Sequence, residues 1–371
     1  MRCFKYFGIL ILTLLFFVSC ENDDPINGGN GSDPVPPDWS YNPSEYDLKV
    51  PQRLPQPPDD PENPLTVEGV KLGRMLFYDP ILSGDSTQAC ASCHMPENSF
   101  AEPLRVSEGI NGIEGTRNAP AIINVAYMPR LFWDGRALSL EEQAIFPITS
   151  HIEMDNDLAT VVKRLKRHED YPKLFYEAFG EYPLNENQVL KAIAQFERIL
   201  LSGNSKFDKS ETGSMSLTPQ ENLGLAIYMS EEKGDCWHCH GNPRAVPLLT
   251  DNIFHDTGLD PASSTGEYPD PGLGGISGRI SEYGEFKTPT LRNIELTAPY
   301  MHDGRFQTLE EVVEFYMTGG NRSINQSPLM RHTGEGIDLN EEEKEALIAF
   351  LKTLTDTEFI NNPEFQNPFP E

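Results

Sequence analysis

The chain is poor in positive charge. Its 29 Lys and Arg face 57 Asp and Glu, leaving a formal charge of −28 at pH 7. A nucleic-acid partner calls for a basic footprint, so that class of function is excluded, whereas a cationic redox partner would be steered in by such a field. Long apolar runs are scarce as well. The longest, "YFGILILTLLFFV" behind Arg2 and Lys5, is too short to span a bilayer as a mature helix and has the layout of a signal peptide. It ends in "FVSC", which resembles a lipoprotein processing site, although Phe17 stands where leucine is usual. Residues 1–19 are therefore expected to be a signal peptide, with Cys20 the lipid-bearing first residue of a protein exported to the periplasm or cell surface. Cleavage nearby without a lipid is the alternative. Residues 20–61 have few aliphatics and cannot bury enough apolar surface to offset their ordering entropy. They read as a flexible, acidic, Pro/Gly-rich tether whose last third could pack as an extended arm.

Cysteine is also rare, with six in 371 residues, which does not suit a disulfide scaffold in a chain of this length. Cys3 and Cys20 lie in the leader region. The other four form "CASCH", with Cys90, Cys93 and His94, and "CWHCH", with Cys236, Cys239 and His240. C-x-x-C-H is the attachment pattern of a c-type heme. Two thioethers fix the porphyrin edge, and the adjacent histidine ligates iron from below. Zinc is the competing reading, but it takes four ligands spread over a loop and its return. Two covalent hemes are expected, with His94 and His240 as proximal ligands.

The chain repeats itself beyond these motifs. Pro120, Asn124, Asp134, Gly135, Arg136 and Leu140 recur without gaps as Pro289, Asn293, Asp303, Gly304, Arg305 and Leu309. In each copy a heme motif comes first. Helical signals dominate: Thr218, Pro219 and Glu221 form an N-cap, N1 and capping-box series. Val189, Ile193, Phe196 and Leu200 share one helical face, and Ser139 and Thr308 cap equivalent starts. No stretch alternates convincingly as a strand. The expected fold is all-α, with two cytochrome c-like domains in tandem, 62–212 and 213–371.

CASCH, "RNAP", "FWDGR", the "EEQ…HIEM" stretch, CWHCH, "TPTLRN" and "TAPYMHDGR" resemble, in kind and order, the bacterial diheme cytochrome c peroxidases and their MauG-type relatives. That resemblance implies a peroxidatic first heme fed by the second. Hydrogen peroxide would be reduced to water with electrons from a small donor, such as a monoheme cytochrome c or a cupredoxin. It further implies Glu153 and Gln143 in the peroxide pocket, Trp133 between the hemes, and His302 on a heme propionate. Asn118 with the carbonyls of Thr297 and Pro299 would hold Ca²⁺, and family members often form homodimers. A MauG-like oxidase, turning peroxide against a protein or small-molecule substrate, is the alternative enzyme. A non-catalytic diheme electron carrier is the alternative class.

Two features depart from the peroxidase pattern. The loop before "RNAP", around Ile110, lacks the histidine that caps the first iron in many peroxidases, and residues 95–150 contain none. The first heme is expected to be open without reductive activation. The distal ligand of the second is methionine in the peroxidases and tyrosine in MauG, and "EVVEFYMTGG" offers both. Neighbouring helical residues point about 100° apart, so only one reaches iron. Spacing from "HDG" favours Tyr316, with Met317 as the alternative. Thioether would raise the potential of that heme.

Overall fold

The structure is a computed structural model and describes residues 35–36, 38–261 and 267–369. The signal-peptide and Cys20 expectations lie outside the described residues. Eight helices organise the body: α1 (Val67–Tyr78), α2 (Leu140–Thr149), α3 (Leu158–Arg167), α4 (Tyr171–Phe179), α5 (Glu186–Arg198), α6 (Pro219–Met229), α7 (Leu309–Thr318) and α8 (Glu341–Lys352). Shorter turns fill the rest, so the fold is mostly helical. One small sheet was not legible as alternation: β1 (Phe254–His255) pairs antiparallel with β2 (Phe286–Lys287). Two-residue strands are too short to show a period of two.

Two helix pairs use the same packing device. α1 crosses α5, and α6 crosses α8, each at a glycine. A Cβ at Gly73 would lie 1.8 Å from the Ala192 carbonyl oxygen, and one at Gly224 would lie 1.9 Å from that of Ala346. Only glycine lets the backbones meet so closely. Four residues beyond each alanine a phenylalanine seals the crossing. Phe196 meets Phe77 with ring centroids 5.2 Å apart, and Phe350 meets Tyr228 at 5.3 Å. All four rings are buried, each contributing on the order of 2 kcal/mol by removal from water.

The repeat is equally plain in the connecting segments. α2 and α7 have the same length, and Ser139 and Thr308 cap them by accepting from the amides of Glu142 and Glu311. Asn124 and Asn293 both take left-handed backbone, at φ of 56° and 57°. The bridges Leu131–Ala137 and Tyr300–Phe306 are likewise equivalent. Every one of these pairs keeps the spacing that separates Pro120 from Pro289.

Both ends of the chain depart from the expected partition. The expected tether was to pack as an arm over its last third only, whereas residues 38–61 lie on the body throughout. Trp39 packs edge-on against Tyr182, Leu54 is buried, and Arg53 bonds Asp208 at 3.1 Å. The C-terminal tail, assigned with the second domain, returns to the first half. Phe359 and Phe365 enter the core containing Phe77 and Phe100, and the Tyr78 hydroxyl donates to the Phe365 carbonyl at 2.6 Å. These aromatic anchors offset the entropy of ordering otherwise polar segments.

Candidate functional site

A single cavity of about 1010 Å³ runs through the body and is bordered by both C-x-x-C-H motifs. Cys90, Cys93 and His94 line it, and so do Cys236, Cys239 and His240. The four cysteines are unpaired, and burial pushes each thiol up to about 12. Each histidine has its orientation fixed from behind. Nδ1 of His94 lies 2.9 Å from the Phe100 carbonyl oxygen, and Nδ1 of His240 lies 3.4 Å from that of Leu249. A carbonyl at Nδ1 selects the tautomer that leaves Nε2 a lone pair for iron. Burial also lowers both imidazoles, His240 to about 4, and so keeps them neutral as ligation requires. Free thiols beside a neutral, oriented imidazole, facing a mainly apolar cavity, fit covalently bound heme at each motif.

The only cluster of His, Cys and carboxylate donors found among the described residues is Cys239, Asp251 and His255. It does not make a separate zinc centre. Cys239 belongs to the second motif, and His255 Nε2 is already 2.8 Å from Asp251 Oδ2.

Gln143 and Glu153 border the first motif's side of the cavity. Gln143 sits in α2, and Glu153 in the turn that follows it. That turn is pinned by its backbone: the Glu153 amide donates to Ser150, that of Met154 to Pro147, and that of Asn156 to Ile148. The Glu153 carbonyl accepts from Ile110 at 3.0 Å, so the histidine-free loop packs directly on this turn. Burial raises the Glu153 carboxyl above its usual range, partly opposed by Ser150 and Arg136. The group can therefore exchange a proton nearer neutral pH than an ordinary glutamate.

One residue, Asn118, ties together two equivalent positions of the repeat through its backbone. Trp133 Nε1 donates to the Asn118 carbonyl at 2.9 Å, and the Asn118 amide donates to the His302 carbonyl at 2.8 Å. Trp133 is also held from behind, its carbonyl accepting from Lys287 of β2 at 2.9 Å. His302 is buried and stacks flat on Phe286, with centroids 3.7 Å apart. Arg117 lies over that ring and grips Asp270 with two bonds, at 2.7 and 2.8 Å. Asn118 donates its side-chain amide to Leu104, and Thr297 and Pro299 reach the same cavity.

On α7, Tyr316 lines the cavity near Cys236 and Cys239, and burial raises its phenol well above the usual value. Met317 does not border the cavity, although both residues pack against the second core. The repeat places Pro147 at the α2 position equivalent to Tyr316, and Pro147 also lines the cavity. Sequence reasoning passed over Pro147, although applying the Pro120–Pro289 spacing to Tyr316 would have found it.

A mostly helical body that presents two C-x-x-C-H motifs to one cavity defines a class, the c-type cytochromes with two hemes. The family model for di-haem cytochrome c peroxidase matches residues 67–216. The methylamine utilization protein MauG of Methylophilus methylotrophus is 35% identical over 318 residues, covering 85% of this chain and 90% of that protein. Cytochrome c551 peroxidase of Nitrosomonas europaea is 34% identical over 310 residues, covering 83% of this chain and 84% of that protein. Among solved structures, a MauG-like protein associated with microbial copper homeostasis superposes with a TM-score of 0.81 at 37% identity, covering 87% of this chain and 99% of that one. The chain belongs to the diheme cytochrome c peroxidase family that includes MauG. That family is di-haem, and its relatives include both peroxidases and MauG.

Proposed function

We propose that the protein reduces hydrogen peroxide to water at the first motif, with electrons entering at the second from a small redox protein. The observation that carries this reading is the difference between Pro147 and Tyr316 at equivalent cavity-facing positions. The proline side chain has no donor atom to offer iron, so the first site keeps a face free for a small ligand. The phenol oxygen of Tyr316 can cap the second. Hemes bound at the two motifs supply the iron that binds peroxide and the centres that store single electrons.

The chain's own residues do the rest. His94 and His240 hold the proximal sides. Gln143 orients the peroxide by hydrogen bonding, and Glu153 takes a proton from one peroxide oxygen and returns it to the oxygen that leaves as water. Two electrons and two protons complete the conversion of one peroxide to two waters. Trp133, fixed between Asn118 and β2, gives an aromatic path between the sites, and His302 anchors a propionate. Asn118 Oδ1 and the carbonyls of Thr297 and Pro299 supply hard oxygen donors suited to Ca²⁺. Each heme belongs to its own cytochrome c-like unit, with the boundary near residue 212. Residues 1–19 direct export, and Cys20 carries the lipid anchor.

One observation favours a second reading. Tyr316 rather than Met317 faces the cavity, and a phenolate favours higher oxidation states, which suits an oxidase of the MauG kind. Optical and EPR spectra of the ferric protein, before and after one equivalent of peroxide, test the shared premise. The expected result is a high-spin signal that peroxide abolishes. Two low-spin signals indifferent to peroxide would overturn it in favour of an electron carrier. Catalytic oxidation of a reduced monoheme cytochrome c by peroxide then separates peroxidase from oxidase.

A further inference from the structure

The helix pairs that carry the two halves differ in polarity at one cavity-facing position that the reaction above leaves unused. Directly after the sealing phenylalanine stands Glu197 in α5 and Leu351 in α8. Both border the cavity. Glu197 is 4% exposed, and its Oε2 has no hydrogen-bond partner. A buried carboxyl oxygen without a donor is unfavourable, and leucine fills the equivalent place in the other half.

The surroundings offer this carboxyl little support. Cys90 faces it from the first motif, close enough for Glu197 to raise its thiol. Glu141 faces it from α2 and adds like charge. Arg198, next to it in α5, is occupied by Asp60 at 2.5 Å and Glu141 at 2.6 Å. Arg74 of α1 is turned to the carbonyls of Pro363 and Gln366, and Arg164 of α3 to that of Ser83. Tyr127, from the turn that packs on α5, bonds the Pro55 carbonyl. Burial, with Glu141 second, lifts the Glu197 carboxyl to about 8.

We propose that Glu197 is the redox-linked proton carrier of the first site, binding a proton when the heme held by Cys90 and Cys93 is reduced and releasing it on oxidation. The inference rests on the reading that this motif holds a heme. One electron entering a ferric heme adds one negative charge to a buried site. A proton bound at Glu197 cancels that charge, so ferric heme with carboxylate becomes ferrous heme with carboxylic acid. Leu351 gives the second site no such partner. The first heme then accepts its electron together with a proton already next to the chemistry.

The test is a spectroelectrochemical titration of both hemes in the full holoprotein between pH 6 and 9. Above the pH at which the carboxyl ionises in the ferric state, the first midpoint is expected to fall with rising pH, approaching about 59 mV per unit, the value for one proton per electron. Glu197→Gln, which keeps the shape of the side chain, should flatten that slope and leave the second heme's potential and spectrum unmoved. A wild-type slope retained in the variant overturns the proposal. An infrared reduced-minus-oxidised difference spectrum of the wild type gives an independent reading. A protonated carboxyl band that appears on reduction and is lost in the variant supports the proposal, and its absence in the wild type overturns it. Mass spectrometry finding no heme on Cys90 and Cys93 would instead defeat the heme assignment, an outcome distinct from an unchanged slope.

Discussion

The two halves of the body share a scaffold and differ where they face the cavity. Gly73 over Ala192 and Gly224 over Ala346 set the same close helix crossing, and α2 and α7 start from the same kind of cap. On that common frame the first half places Pro147 and Glu197 where the second places Tyr316 and Leu351. The first half adds Gln143 on α2, with Val312 at the matching place on α7. Trp133 and His302, also equivalent, are both bonded to the backbone of Asn118. A duplicated fold can thus keep its packing and still specialise. The residues that set helix crossings point into the cores, and those that decide chemistry point into the cavity.

The comparison breaks most visibly at Glu153. Replacing it with glutamine should slow the reaction with peroxide by about 100-fold or more in stopped-flow measurements, while the second heme's spectrum stays the same. If the Glu153 carboxylate is the proton acceptor, the wild-type rate should also fall with decreasing pH, since burial has raised its pKa. The inflection should sit above the ordinary glutamate value and vanish in the variant. Next in size, Tyr316→Met should raise the potential of the second heme only, since thioether favours the ferrous state. A potentiometric titration would show it, and an unmoved second heme would remove Tyr316 from the ligand position.

Two paired substitutions sharpen the shared part of the scaffold. Gly73→Ala and Gly224→Ala should each destabilise by about 1–3 kcal/mol through backbone overlap, measured by denaturant unfolding. Comparable losses are expected because the two overlaps are nearly equal. Smallest are Ser139→Ala and Thr308→Ala, each costing about 1 kcal/mol as a lost N-cap. A large disparity within either pair would mean that the halves have diverged in packing as well as chemistry.

Much of this was legible because it is written locally. The heme motifs declare themselves by five-residue spacing, and the repeat by ungapped matches from Pro120 and Pro289. Ser139, Thr218 and Thr308 announce helix starts because a cap is a contact between residues three apart. The position of Glu153 was legible only through its family motif, since a glutamate in a turn has no local mark of burial. Pro147 drew no notice in the sequence, because only the repeat spacing aligns it with Tyr316. Glu197 gave no signal, sitting in "QFERIL" like any charged residue at the end of an amphipathic helix.

By itself, then, the sequence determined the number of heme-attachment sites, the mostly helical fold class and the duplication, because each depends on short-range spacing or on self-comparison along the chain. Tertiary structure decided the rest. It turned Tyr316 and not Met317 into the cavity, since helix rotation is set by the burial of Leu309 and Val313. It laid the 38–61 arm and the Phe359–Phe365 tail on the body. It also left Oε2 of Glu197 buried without a hydrogen-bond partner, because whether a carboxyl oxygen meets water, a cation or nothing is settled by segments far away in the chain.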